Sequence, residues 1–223
     1  MKVIATIDTK FPQAVRVHCE DDDNIAVLKN ISYQDFVELL TESRTSDCKV
    51  NRIGTLPVGF IDGGYETITS SYEAIIHLPA GTRPMRYFDE VYIVPFPDLV
   101  FYMKAQNGKI TSSKVFALES GDTSEKAKLY RYPYGNVYDD GRICWGSNAS
   151  TLPKIHCLKD FEKVVTLFFG AETNNDLYQS PKIEKDGVLV NMPQTELVKL
   201  LQGKENYPVE FLNPSRIGTM NNL

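Results

Sequence analysis

Tyr134-Gly135-Asn136-Val137-Tyr138-Asp139-Asp140-Gly141-Arg142-Ile143-Cys144-Trp145 is the stretch on which the chain's fold and chemistry turn. An Asn stands eight residues ahead of a Cys, with an Asp-Asp-Gly turn between them and an apolar residue on each side of the thiol. Asp and Gly are the residue types that tight turns favour. The arrangement fits a nucleophile on a short rigid segment, with an amide side chain folded back beside it. A cysteine suits acyl exchange because its thiolate is both a strong nucleophile and a good leaving group.

Outward from this stretch, β-rich runs at Val91–Val94, Leu99–Met103 and Lys114–Leu118 predict an antiparallel meander. Pro95-Phe96-Pro97 reads as one connection and Asn107-Gly108 as a hairpin turn. A polar stretch at 119–128 leads to Leu129–Pro133 and the Cys segment. Beyond it, Leu158, Phe161, Val164, Val165, Phe168 and Phe169 recur at helical spacing, with Gly170 as the expected C-cap. A polar loop at 171–182 and a short helix at Thr195–Leu201 follow, the latter ended by Gly203. The polar tail from Pro214 to Leu223 is expected to fray.

Toward the N-terminus, residues 1–29 read as short strands separated by the acidic turn Glu20-Asp21-Asp22-Asp23-Asn24, a solvated hairpin tip. Ser32 opens a helix as its cap, with Asp35 in the capping-box position and Ile31, Phe36, Leu39 and Leu40 on its apolar face. Residues 43–51 read as a linker. Strands are expected near 56–61 and 71–78 around a Gly63-Gly64 turn, then a loop at Leu78–Pro84.

Composition narrows the function classes. The 223 residues carry a net charge of −5 at a pI near 5.3, with basic residues scattered, which argues against a general nucleic-acid surface. No apolar run reaches the length of a membrane span. The N-terminus turns acidic too early for a secretory signal, so a cytoplasmic setting is expected. The four cysteines, Cys19, Cys48, Cys144 and Cys157, form no CxxC pair and no zinc spacing. No metal or organic cofactor is indicated.

The Asn136-to-Cys144 segment resembles the active-site segment of ubiquitin-conjugating enzymes, where His-Pro-Asn is followed eight residues after the Asn by Gly-x-Ile-Cys. Asn136, Gly141, Ile143 and Cys144 fall at that spacing. The run from about Val91 to Gly170 further resembles the prokaryotic branch of these enzymes, which includes protein B of the plasmid-associated PRTRC system. The resemblance implies an α+β ubiquitin-conjugating-enzyme-like fold, an antiparallel sheet flanked by helices. It implies an N-terminal strand and helix extension over 1–78 packed on the main domain, a catalytic domain over 79–213 and a flexible tail over 214–223. Two departures stand out: Tyr134-Gly135 replaces His-Pro, and Trp145-Gly146 replaces the usual Leu-Asp. The first removes a hydrogen-bonding ring and a rigid proline from the Asn loop.

By the resemblance, Cys144 accepts a ubiquitin-like protein as a thioester from a ThiF-like activating enzyme and passes it to a protein target, in a setting such as plasmid maintenance or antiviral defence. Asn136 has two readings. It either donates to the tetrahedral oxyanion, a kind of contact worth roughly 2.7–4 kcal/mol elsewhere, or closes its own loop by bonding backbone groups. Asp176, in the loop Thr173-Asn174-Asn175-Asp176, matches the family's acidic or polar group near the acceptor. Two rivals remain. One is a catalytically inactive scaffold that binds a ubiquitin-like protein. The other is a thiol hydrolase or redox protein, which would need His77 or His156 near the sulfur. Trp145 is expected to pack beneath the segment, His77 to serve structure, and Pro95-Phe96-Pro97 to pack in the core.

Overall fold

The computed structural model describes residues 2–7, 14–20, 27–37, 55–66, 69–185 and 188–223. The chain divides into two compact units, Met1–Arg52 and Ile53–Leu223.

In the first unit β1 (Lys2–Ile7), β2 (Ala14–Glu20) and β3 (Val27–Ser32) form an antiparallel sheet in that order. The alternation read from the sequence sets its register, with Val3 opposite Cys19 and Val15 opposite Ile31. Residues 33–37 are helical, and the Asp35 amide donates to Ser32 Oγ at 3.0 Å, so Ser32 caps the turn as expected. The acidic tip at 21–24, Leu39, Leu40, Cys48 and the linker at 43–51 lie outside the described residues.

The second unit is built on a six-stranded antiparallel sheet in the order β13-β10-β9-β8-β5-β4. Its strands are β4 (Phe60–Glu66), β5 (Ser71–Leu78), β8 (Asp98–Gln106), β9 (Lys109–Leu118), β10 (Lys128–Arg131) and β13 (Pro214–Thr219). β6 (Gly81–Tyr87) and β7 (Glu90–Phe96) make a separate hairpin, as do β11 (Lys182–Lys185) and β12 (Val188–Asn191). The helices are α1 (Phe161–Gly170) and α2 (Gln194–Leu201). This is an α+β architecture.

The central strands read as unbroken apolar runs because both faces of the sheet are covered. Leu99, Phe101 and Met103 of β8 and Val115 and Ala117 of β9 enter the main core with Phe161, Val164 and Phe168 of α1. The alternate residues Val100, Phe116 and Leu118 join a smaller cluster with Leu129 and Met220. Phe101 meets Phe168 edge-on at 5.5 Å between ring centres, a geometry that aromatic pairs favour.

Several expectations need correction. Gly63 and Gly64 lie inside β4, not in a turn. Gly63 has φ +144°, and a Cβ there would sit 2.2 Å from the Glu73 carbonyl oxygen, so the glycine permits close strand approach. Gly81–Pro84 belongs to β6, where Pro84 is tolerated because the two-stranded hairpin leaves edge positions free of ladder bonds. β7 runs through Pro95 and Phe96 and pairs with β6; the neighbours of β8 are β5 and β9, so Val91–Val94 is not part of the meander. Phe96 itself is buried, as expected. The boundary expected at residue 78 falls inside the main sheet, since β5 is bonded to β8 along its whole length and the division between units follows Arg52.

The tail is ordered as well. β13 pairs with β10, and Met220 buries its side chain in the second cluster. The Asn107-Gly108 turn has positive φ at both residues, the geometry hairpins prefer. Removing residues 214–223 should therefore lower the denaturant midpoint rather than leave it unchanged. Met220→Ala alone should cost about 2 kcal/mol or more, measured by urea unfolding.

Candidate active site

The floor of the site is aromatic. Tyr134 is fully buried, its hydroxyl donates to the Pro95 carbonyl at 2.7 Å, and its ring meets Phe96, Tyr132 and Tyr207 edge-on. Burial pushes its hydroxyl well above the usual tyrosine range, so it stays a proton donor. The hydrogen-bonding ring that the sequence departure removes is thus supplied by Tyr134 itself. Gly135 has no room for a side chain: a Cβ would sit 2.2 Å from the Asn174 carbonyl oxygen and 3.1 Å from that of Asp176. The loop before Asn136 is held by this close approach to the 173–177 loop instead of by a proline.

From Asn136 to Cys144 the chain is a tight hairpin. The Cys144 amide donates to the Asn136 carbonyl at 2.8 Å, Tyr138 N–H to the Arg142 carbonyl at 2.9 Å, and Gly141 N–H to the Tyr138 carbonyl at 2.9 Å. The hairpin is bonded to β9: Val115 N–H donates to Gly141, and Ile143 N–H to Ser113. Gly141, at φ +84°, lies flat on the Phe116 ring, where a Cβ would stand 2.2 Å from Cζ. Strand alternation then sorts the side chains. Val137 and Ile143 are buried, while Asn136, Tyr138, Arg142 and Cys144 share the outward face.

Cys144 is a free, partly buried thiol. The Tyr138 hydroxyl donates to Sγ at 3.9 Å. That bond, with the Cys144 charge, raises the Tyr138 hydroxyl above its ordinary range. Arg142 stacks over the Tyr138 ring, 5.0 Å from its centre, and its Nε bonds Asp140 at 2.7 Å. Burial pushes the Asp140 carboxyl up, but its bonds to Arg142 outweigh this and hold it below the usual carboxylate range. Asp139 is paired with Arg216 of β13 at 2.8 Å. The two acids of the turn are thus both tied to arginines. Trp145 packs edge-on to Phe168 and donates Nε1–H to Ser113 Oγ at 2.8 Å, beneath the segment as expected.

The Asn136 side chain bonds a backbone carbonyl of the neighbouring loop, as its loop-closing reading expects, and one N–H of the amide is left over. Asn136 sits at φ +67°, a conformation that Asn tolerates better than most residues. Its Nδ2 donates to the Glu172 carbonyl at 2.6 Å and its backbone N–H to the Asp176 carbonyl at 2.9 Å. Asp176 therefore meets Asn136 through its main chain. Its exposed carboxylate accepts from Asn174 Nδ2 at 3.1 Å, while its own N–H donates to Asn174 Oδ1, a self-contained loop turn. The cleft beside the sulfur is lined by Tyr132, Gly135, Asn136, Ile143, Trp145, Phe168, Ala171 and Thr173 and has a volume of about 10 Å³. That is room for no more than a water, so the cleft beside the thiol can enclose no larger ligand.

A sequence model of the family described as prokaryotic E2 family D matches residues 45–215. The chain belongs to that family. The match spans the Asn136–Cys144 hairpin, both helices and every strand of the six-stranded sheet but β13, of which it reaches only Pro214 and Ser215. No curated protein and no solved structure matches the chain. Family membership points to an E2-like conjugating role, with ubiquitin-like proteins as partners. Among the described residues no helix is long and apolar enough to cross a membrane, and no cluster of three or more His, Cys, Asp or Glu could hold a metal ion.

The structure brings Cys144, Asn136 and Asp176 into one neighbourhood, linked by main-chain bonds. Tyr138 was missed as a neighbour of the sulfur. The signal was present: a two-stranded hairpin closing at Asp139-Asp140 puts residues 138 and 144 diagonally on one face. His77 pairs with Asp98 at 2.7 Å, a structural contact between β5 and β8. Asn136→Asp should destabilise the protein by about 1–3 kcal/mol in urea, because it removes the donor to Glu172 and points a carboxylate at a carbonyl. Gly135→Ala should cost about as much through the clash with the 173–177 backbone.

Proposed function

We propose that Cys144 carries a ubiquitin-like protein as a thioester, received from a ThiF-like activating enzyme and passed to a protein target in the cytoplasm. One observation carries this reading: a free thiol on the outward face of a hairpin locked to β9 at one side and to the 173–177 loop at the other. A sulfur that exchanges acyl groups between large partners must be reachable from outside and fixed in direction. It needs no enclosed pocket, since both partners are proteins, and the small cleft agrees with that. The incoming thioester is already activated, so no dedicated base is required at the sulfur.

Asp176 and its loop stand beside Asn136 and offer a carboxylate for the approach of an acceptor amine. Its bond from Asn174 keeps that group oriented. The hydrolase reading finds no base beside the sulfur, because no histidine is among the described residues that line the cleft at Cys144.

Incubated with a ThiF-like activating enzyme, its ubiquitin-like protein and ATP, the protein should form an adduct on a non-reducing gel that thiol reductant removes. Cys144→Ala should abolish it, and Cys144→Ser should convert it to a reductant-stable ester. An adduct that survives in Cys144→Ala refutes the assignment. Partner binding by the parent protein with no thioester selects the scaffold role instead.

A further inference from the structure

Gln194 opens α2 and is only 1 % exposed, yet neither its Nε2 nor its Oε1 finds a hydrogen-bond partner among the described residues. A buried amide left unpaired is costly and calls for a reason. Its Oε1 stands 3.2 Å from the point where a Cβ on Gly135 would lie, and the Asn174 and Asp176 carbonyl oxygens stand 2.2 and 3.1 Å from that same point. Three acceptor oxygens converge there. We propose that the Gln194 amide turns its Nε2–H to the Asn174 carbonyl and latches the 173–177 loop, which makes Gln194 a positioning residue for Asn136 and Cys144. The consequence for Cys144 rests on the acyl-relay reading above.

Three observations carry the latch. A half-turn about the last side-chain bond exchanges Oε1 and Nε2 without changing the shape of the amide, and so puts a donor among the acceptors. Second, the first turn of α2 already grips this loop beside Gln194. The buried Tyr87 hydroxyl donates to Asn175 Oδ1 at 2.6 Å and shares a hydrogen bond with Thr195 Oγ1 at 2.9 Å. Just ahead of α2, the Met192 carbonyl accepts from the Tyr178 hydroxyl at 2.9 Å and from Ser180 Oγ at 2.7 Å. Third, the loop is what orients the Cys segment. Its Glu172 carbonyl takes Asn136 Nδ2 at 2.6 Å, its Asp176 carbonyl takes the Asn136 N–H at 2.9 Å, and the Asn136 carbonyl takes the Cys144 N–H at 2.8 Å. β6 holds the same loop from its other side, where Thr173 N–H donates to the Arg86 carbonyl at 2.7 Å.

Gln194 touches no reacting atom. Its part is to keep Asn136 and the sulfur fixed while protein partners arrive and leave, because small misplacements at a reacting centre are expensive. An amide without a role predicts the opposite behaviour. An apolar side chain of the same length in its place would remove an unpaired buried group, and would leave the loop as it is or steady it.

Amide hydrogen exchange, followed by NMR on the full chain, reads the latch without any assay of activity. Gln194→Met should speed exchange at the Asn136 N–H about 10-fold, while amides in the middle of β8 stay as in the parent. The chain can then be acylated at Cys144 by exchange with a small Gly-Gly thioester, and its discharge to ethanolamine followed by intact-mass spectrometry. Gln194→Met should discharge about 10-fold more slowly than the parent. In Gln194→Glu a protonated carboxyl can donate to Asn174 as the amide does, whereas a carboxylate cannot, so its discharge rate relative to the parent should fall as pH rises. Parent-like exchange at Asn136, parent-like discharge, or a Gln194→Glu ratio that is constant with pH overturns the inference and leaves the relay intact. Should one variant fail to fold, the other decides. Failure of the parent itself to take the acyl group overturns the relay reading, and the exchange rates still judge the latch.

Discussion

The hydrogen bond from the Cys144 amide to the Asn136 carbonyl, 2.8 Å long, is the contact on which the rest of the site depends. It closes the hairpin at its open end, so the two residues eight apart in sequence become direct neighbours. Each is then anchored on a different side. Asn136 is tied to the 172–176 loop by its side chain and its amide, and the cysteine strand is tied to β9 through Gly141 and Ile143. A rigid sulfur results from main-chain bonds, which are insensitive to the side chains around them.

The aromatic floor explains how a chain without His-Pro holds its Asn loop in place. A buried ring that hydrogen-bonds a distant carbonyl needs only a donor and a shape, and tyrosine supplies both. Tyr134 reaches Pro95 at the end of β7 and so couples the Cys segment to the β6–β7 hairpin. Gly135 then allows the 173–177 loop to press against the backbone where a side chain would hold it off. The departure from the common pattern is therefore a paired change: a larger ring below and no side chain above.

Charge on the hairpin is arranged locally. Asp140 clamps Arg142 onto Tyr138, and Asp139 reaches Arg216 on β13. Exposed ion pairs of this sort contribute little to stability. Their effect here is geometric, fixing the face that surrounds the sulfur. The β13 strand thus does two things: it completes the edge of the sheet beside β10 and steadies the turn of the active segment.

The sequence alone determined the elements whose signals are local. The Asn107-Gly108 turn, the Ser32 cap, the periodic apolar face of α1 and the Asn136-to-Cys144 spacing all follow from neighbouring residues and from two fixed backbone periods. Partner choice among strands was decided by tertiary structure. β7 left the meander for β6, Gly63 and Gly64 joined a strand, and a polar tail became β13, because edge bonds and burial against distant residues outweigh local propensity. The same holds at the site. The spacing named Cys144 and Asn136, but the direction of the Asn136 amide depends on a carbonyl 36 residues away, and no local pattern encodes that.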